Sequence, residues 1–237
     1  MGRAHEVRAK SMAATSAARS ALFGRASKEI YMAAKNGGTD PNSNLTLRAA
    51  IEKFRSLNVT KEVIQRAIEK AKGGQQESYV EGRYEGFTQG NAYIIIDTLT
   101  DNVNRAFGEV RTAVTKKGGH LGTPGSVSFN FTQAGLIEFE GTNRDEVEEN
   151  LLMADVDVNS VELDEDTIVV NVEPSALNAA RNVLVEMGVE EFLTCEVTFV
   201  PNDYVTLEGE DLEKFNQLLD VLEELEDVQN VYHNVKL

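Results

Sequence analysis

Val158-Asn159-Ser160-Val161-Glu162-Leu163-Asp164-Glu165-Asp166-Thr167-Ile168-Val169-Val170-Asn171-Val172 decides how the second half of this chain folds. Two β-rich runs, Val158–Leu163 and Thr167–Val172, flank three acidic residues that suit a tight turn. Upstream, a strand is expected at Leu136–Glu140 and a helix from Arg144 to about Ala154. Downstream, a helix from Ser175 to Met187 stops at Gly188, and a strand follows over Glu191–Val200. The order β-α-β-β-α-β is that of a ferredoxin-like sheet.

The flanking segments read as two incomplete halves of a second such sheet. Asn91–Thr100 holds the apolar run Ala92-Tyr93-Ile94-Ile95-Ile96, too short for a helix. Thr100-Asp101-Asn102 can cap a helix carrying Val103, Phe107, Val110 and Val114 that ends at Gly118-Gly119. Ser126–Phe131 alternates as a strand. Near the C-terminus, strands are expected at Tyr204–Leu207 and Val228–His233 around a helix at Asp211–Leu225. Neither half is large enough to stand alone, so together they form one discontinuous domain.

Residues 1–78 read as helical. A first helix, Ala13–Asn36, ends at Gly37-Gly38. A second runs from Asn44 to Leu57, and a third follows Thr60, a fair N-cap, to Gly73-Gly74. The expected fold class is therefore α+β: an N-terminal three-helix domain followed by two ferredoxin-like α+β domains, one inserted within the other. The boundaries are 1–78, then 79–132 plus 201–237, with an acidic insert at 133–200.

The net charge of −16 hides a strong asymmetry. Met1–Gly74 carries 14 Lys/Arg against 6 Asp/Glu, net +8; Gln75–Thr132 carries 5 against 6, net −1; Gln133–Leu237 carries 4 against 27, net −23. Such a swing points to a polyanion-binding module joined to an acidic one. No membrane-spanning apolar run and no signal-peptide core are evident, and Cys195 is the single cysteine, so a cytoplasmic, reducing environment is expected.

No catalytic constellation is present. His5, His120 and His233 share no metal-binding spacing, so neither a metal nor a cofactor is expected. Gly118-Gly119-His120-Leu121-Gly122-Thr123-Pro124-Gly125 could cradle an anion, but it lacks a following helix. A helix stop followed by a turn is the better reading. Asp164-Glu165-Asp166 suits a hairpin tip rather than a cation site, and Cys195 a packed thiol.

The basic helical segment carries the functional signal. On a wheel of the first helix, Leu22, Phe23, Ala26, Ile30, Ala33 and Ala34 share one face, while Arg25, Lys28 and Lys35 gather opposite as an outer stripe. Arg48 and Arg55 align on the second helix. Exposed Lys and Arg neutralise phosphates and release counterions, giving salt-dependent affinity with little sequence preference. The expected nucleic-acid-binding residues are Arg8, Lys10, Arg25, Lys28, Lys35, Arg48, Arg55, Lys70 and Lys72. Arg3, Arg19, Lys61 and Arg66 extend the positive surface. No helix-turn-helix or zinc finger is visible.

These residues also fall into recognisable stretches. They include Lys28-Glu29-Ile30-Tyr31-Met32-Ala33-Ala34-Lys35, Asp40-Pro41-Asn42-Ser43-Asn44, Ala67-Ile68-Glu69-Lys70-Ala71-Lys72-Gly73-Gly74 and Arg83-Tyr84-Glu85-Gly86-Phe87. Further on come Thr100-Asp101-Asn102-Val103-Asn104-Arg105, Lys117-Gly118-Gly119-His120-Leu121-Gly122 and Asp227-Val228-Gln229-Asn230-Val231-Tyr232-His233-Asn234. In this order and over nearly the whole chain they resemble the YebC/PmpR family of bacterial regulators, which includes the mitochondrial translational activator of cytochrome oxidase. The resemblance implies three domains and a non-catalytic regulator whose partner is nucleic acid, either DNA or ribosomal RNA. It implies either a DNA-binding transcriptional regulator or a ribosome-associated translation factor that helps synthesis through difficult sequences such as proline runs. The opening, Gly2-Arg3-Ala4-His5-Glu6-Val7, departs from the family's Trp-containing, Lys-rich arm, and no Trp occurs.

Overall fold

Asn44 shows how the chain's local chemistry sets its first turn. In the computed structural model, which describes residues 16–73 and 77–237, helix α1 spans Ser16–Gly37 and α2 spans Leu45–Ser56. Asn44 is the N-cap of α2: its side-chain oxygen accepts from Leu47 N at 3.0 Å. Its amide nitrogen donates to the carbonyls of Ala33 (2.8 Å) and Gly38 (2.7 Å), closing the C-terminal end of α1. One buried amide thus satisfies orphan groups of two helices. Helix α3, Lys61–Lys72, completes the group; Thr60 holds its N-cap position without a side-chain cap bond. Leu22, Ala26, Ile30, Leu47, Phe54, Ile64 and Ile68 form the core between the three helices.

Strand β1, Val80–Phe87, pairs antiparallel with β2, Tyr93–Thr100, from Val80↔Thr100 to Phe87↔Tyr93. Helix α4, Val103–Lys116, capped by Asn102, leads to the two-residue strand β3, His120–Leu121, which pairs with the far end of β1. At the C-terminus, helix α7, Gly209–Glu223, precedes β8, Val228–His233, which pairs antiparallel with β2. The sheet order is β3-β1-β2-β8. Ile94 and Ile96 of β2 pack beneath Val110 and Val114 of α4 and beneath Phe215, Leu218 and Leu222 of α7.

Two expectations are corrected here. Ser126–Phe131 is not a strand: Ser128–Asn130 is a short 3-10 turn, and strand β4 starts at Phe131. Tyr204–Leu207 is not a strand either, with only an isolated bridge at Val205↔Val235. The vacancy is filled by β1, which has glycines at 82 and 86 and no apolar alternation to announce it. The result is still the ferredoxin-like sheet order, with the third strand supplied first along the chain.

Residues 132–200 form one compact unit, and the remaining described residues form the other. The 132–200 unit contains most of β4 (Phe131–Glu140), α5 (Arg144–Met153), β5 (Val158–Asp164), β6 (Thr167–Val172), α6 (Leu177–Glu186) and β7 (Thr194–Pro201). The strand order β5-β6-β4-β7 is that of a ferredoxin-like sheet. The β5–β6 hairpin turns through Glu165 at φ 53°, and Cys195 packs against the core of Ile137, Phe139, Leu151, Val170 and Leu184. In the other unit, the chain leaves after Asn130 and returns at Asn202, whose N–H donates to the Asn130 carbonyl at 2.8 Å.

Because Asn44 caps and also donates, Asn44→Ala should destabilise the protein by about 1–3 kcal/mol. Asn44→Asp preserves a good cap but turns an anionic oxygen toward two carbonyls. Chemical denaturation should therefore show Asp no better than Ala; recovery of wild-type stability by Asp would reduce the role of Asn44 to capping alone.

Candidate nucleic-acid interface

Helix α1 is buried on two sides. Leu22, Ala26 and Ile30 face α2 and α3, while Ala18, Ala21, Arg25, Lys28 and Tyr31 are also buried. That second side lies against α7 and β2. It is where the sequence places an outer basic stripe, so Arg25 and Lys28 are corrected from surface contacts to interior groups, 5% and 6% exposed. The physical reason is charge: the acidic C-terminal segment supplies the counter-charges, and a helical wheel shows periodicity but not neighbours.

Lys28 Nζ donates to Asp227 Oδ1 at 2.5 Å and to the Glu226 carbonyl at 3.3 Å. Asp227 Oδ2 accepts from Arg105 Nη2 (2.7 Å) and Nε (3.1 Å) and from Thr100 Oγ1 (2.8 Å). Burial pushes the Asp227 carboxyl up, but hydrogen bonds from Lys28, Arg105 and Thr100 together outweigh it and hold it below the ordinary range. Hydrogen bonds to Asp227 and Asp101 push the Arg105 guanidinium up. Burial pulls Arg25 down, partly offset by Glu223 and Glu29, and its Nη2 has no hydrogen-bond partner among the described residues.

The other expected residues separate into engaged and open groups. Lys35 is exposed, donates to the Glu77 carbonyl at 2.9 Å and lies over the Tyr31 ring. Lys70 is ion-paired with Glu77, whose carboxylate also accepts from Tyr79 Oη at 2.6 Å. Glu77 thereby fastens the segment after α3 onto α1. Arg48 donates to the carbonyls of Pro41 (3.1 Å) and Asn42 (2.9 Å), bracing the turn between α1 and α2. Arg55 and Lys72 are exposed, and their side chains make no hydrogen bond or ion pair among the described residues. Arg8 and Lys10 lie outside the described residues.

What the structure brings together is an open groove of about 410 Å³ between α1 and α3. Phe23, Val63, Arg66, Lys70 and Tyr79 line it, with Ser20, Gly24, Ser27 and Lys28 along α1 and the carboxylate of Glu226 at one side. Arg19 sits over the Phe23 ring, 5.5 Å from its centroid. The i, i+4 spacing of Arg19 and Phe23 was the available signal, but sequence periodicity assigns Phe23 to the core face, and it is only partly buried.

The glycine loop does cradle an anion, one belonging to the chain itself. Glu85 of β1 accepts from the N–H groups of Gly125 (2.7 Å), Val127 (2.7 Å) and Ser128 (2.9 Å). These bonds also explain why Ser126–Phe131 does not enter the sheet. Burial pushes the Glu85 carboxyl up, and the backbone donors more than reverse it. Among the described residues, no group of three His, Cys, Asp or Glu side chains is placed to hold a metal, and no helix is long and apolar enough to cross a membrane.

Asp227→Asn should cost about 3–5 kcal/mol, because it leaves buried Lys28 without a full counter-charge. Adding Lys28→Met should restore part of that loss; additive losses in the double variant would deny the coupling. Asp227 is depressed in the folded state, so its contribution is complete above the unfolded carboxylate pKa of about 4 and disappears as pH falls through the lower folded value. Acid titration of stability should show this loss in the parent and not in Asp227→Asn.

Residues 3–74 match the family model described as the TACO1/YebC protein N-terminal domain, and residues 79–235 match the TACO1/YebC second and third domain. A Mesoplasma florum protein, "Probable transcriptional regulatory protein Mfl546", is 51% identical over 239 residues, covering 100% of both chains. The crystal structure of the conserved hypothetical protein Aq1575 from Aquifex aeolicus is similar at a TM-score of 0.78 and 33% identity, covering 92% of this chain and 90% of that one. With both family models matched in order and a full-length relative at this identity, the chain belongs to the TACO1/YebC family.

Proposed function

We propose that this protein is a non-catalytic, nucleic-acid-binding regulator of gene expression that holds a phosphate backbone in the groove between α1 and α3. The observation that carries the reading is the groove itself, where Arg66 and Lys70 stand with the rings of Phe23 and Tyr79, and Arg19 lies over the Phe23 ring. Cations neutralise phosphates, and aromatic faces accept bases whatever their identity. Exposed Arg55 and Lys72 extend the positive surface. A DNA-binding transcriptional regulator is the reading that accords with the name of the Mesoplasma florum relative.

A second reading, a ribosome-associated translation factor, draws support from the outer face of α3. There Glu62 and Glu69 stand beside Lys61 and Lys72, all exposed. A recognition helix entering a major groove flanked by phosphates would be opposed by such acids. A structured RNA with splayed bases imposes no such helix insertion.

Arg19→Glu/Arg66→Glu should weaken binding roughly tenfold or more and reduce the log–log salt slope by about one per lost phosphate contact. Unchanged binding by the folded variant would remove the groove from the interface. Sedimentation of lysate through a sucrose gradient at low and high salt separates the two readings. Parent protein travelling with ribosomes, and variant remaining at the top, supports the translation factor. Parent at the top at every salt, together with a defined duplex footprint, supports the transcriptional regulator.

A further inference from the structure

One side chain in the α1–α3 groove has the wrong charge for a phosphate site. Glu226, just ahead of β8, lays its stem on the backbone of α1 at Gly24. The approach is so close that a Cβ there would come within 2.5 Å of Glu226 Cγ and 2.8 Å of its Oε1. That oxygen is 3.5 Å from Lys28 Nζ. Lys28 does not depend on it, because the buried Asp227 carboxylate is the nearer partner at 2.5 Å and the Glu226 carbonyl accepts at 3.3 Å. The Glu226 side chain is 63% exposed, and an ion pair of that length and exposure holds a side chain weakly.

Around this carboxylate the groove offers donors. Ser20 and Ser27 lie one turn to either side of Gly24 on α1, and their hydroxyls make no hydrogen bond among the described residues. Exposed Arg66 lines the groove from α3. Hydroxyl, guanidinium and ammonium groups are the side chains that position a phosphate backbone. A carboxylate and a phosphate ester share negative charge and acceptor oxygens. Either can sit among these donors, and both cannot sit there together.

We infer that Glu226 is a built-in competitor for the groove: its carboxylate occupies a phosphate seat bounded by Ser20, Gly24, Ser27, Lys28 and Arg66, and nucleic acid binds by turning it outward. The buried ion pairs behind it are left undisturbed, since Lys28 keeps Asp227, and Asp227 keeps Arg105 and Thr100. Only the outer contact of Lys28 is exchanged, carboxylate for phosphate. The competitor raises the affinity a ligand must bring, which favours a continuous backbone with several contacts over a single anion. The inference rests on the reading of the groove as a nucleic-acid interface.

The test is an anisotropy titration of the full-length protein with a labelled DNA duplex and with a labelled oligouridine of the same length, across a salt series. Glu226→Gln should lower the Kd roughly threefold or more at low salt, with the gain fading as salt rises. The salt slope should steepen by about 0.9 for the duplex or about 0.7 for the single strand, one added phosphate contact. Glu224→Gln makes the same change of charge two residues away and outside the groove, and should stay near the parent on both counts. Gly24→Ala pushes the Glu226 side chain aside without changing charge. It should tighten binding relative to its own effect in the Glu226→Gln background; equal effects in the two backgrounds overturn the seat. Unchanged binding by the folded Glu226→Gln variant overturns the inference, as does equal tightening by Glu224→Gln. Weaker binding by Glu226→Gln overturns it too, and marks the carboxylate as a contact to a base or sugar donor. If Arg66→Glu binds more weakly while Glu226→Gln is unchanged, the groove stands and the competitor falls. If Arg66→Glu binds as the parent does, or the parent binds neither oligonucleotide, both fall.

Discussion

The Asp227 carboxylate is the constraint on which the larger unit depends. Its two oxygens receive Lys28 from α1, Arg105 from α4 and Thr100 from β2, while its own backbone carbonyl accepts Leu99 N–H at 2.8 Å just ahead of β8. Three stretches of the chain far apart in sequence, at Lys28, at Leu99–Arg105 and at Asp227 itself, are therefore fixed by one group. An ion pair buried this way contributes little as raw stability, since desolvation opposes attraction, but it strongly penalises any arrangement that leaves one partner alone. That suits a seam whose register must be unique. It also means that a part of the apparent opposition between a basic N-terminus and an acidic C-terminal segment is met within the molecule, at Arg25, Lys28, Glu223 and Asp227.

Periodicity was a sound guide where each element's partner was nearby. The hairpin at Asp164-Glu165-Asp166, the capped helix after Asn102 and the helical ends at glycine all follow from local rules, and the structure has them. Periodicity failed where a long-range partner decided. Val80–Phe87 became a strand because the β2 edge needed pairing, not because its own sequence alternates. Ser126–Phe131 alternates well but lost its donors to Glu85, 40 or more residues earlier. Arg25 and Lys28 sit opposite the apolar face of α1, as any wheel shows, but that side meets α7 rather than water. The groove residues were legible only singly, since Phe23, Arg66 and Tyr79 come together through tertiary packing.

The same logic separates two kinds of glycine-rich loop. A loop whose N–H groups point at a void recruits an external anion. Here Glu85 already fills that role, so the loop is a rigid mount rather than a receptor, and it fixes the position of His120 and the end of α4. Rigidity in this unit is thus built from buried carboxylates that collect donors, at Glu85 and again at Asp227. Its cations at Arg55, Lys72, Arg111 and Lys116 stay outside.

The 199-residue separation between Lys28 and Asp227 sets an order of events during synthesis. Helices α1–α3 draw their core from residues 22 to 68, so they can collapse while most of the polypeptide is still being made. The side of α1 bearing Arg25 and Lys28 must wait, because its counter-charges follow about 200 residues later. For that interval the helical module shows a positive stripe that the finished molecule conceals. The growing chain and the folded protein therefore present different electrostatic faces, and arrival of the segment carrying Glu223 and Asp227 is the event that exchanges one for the other.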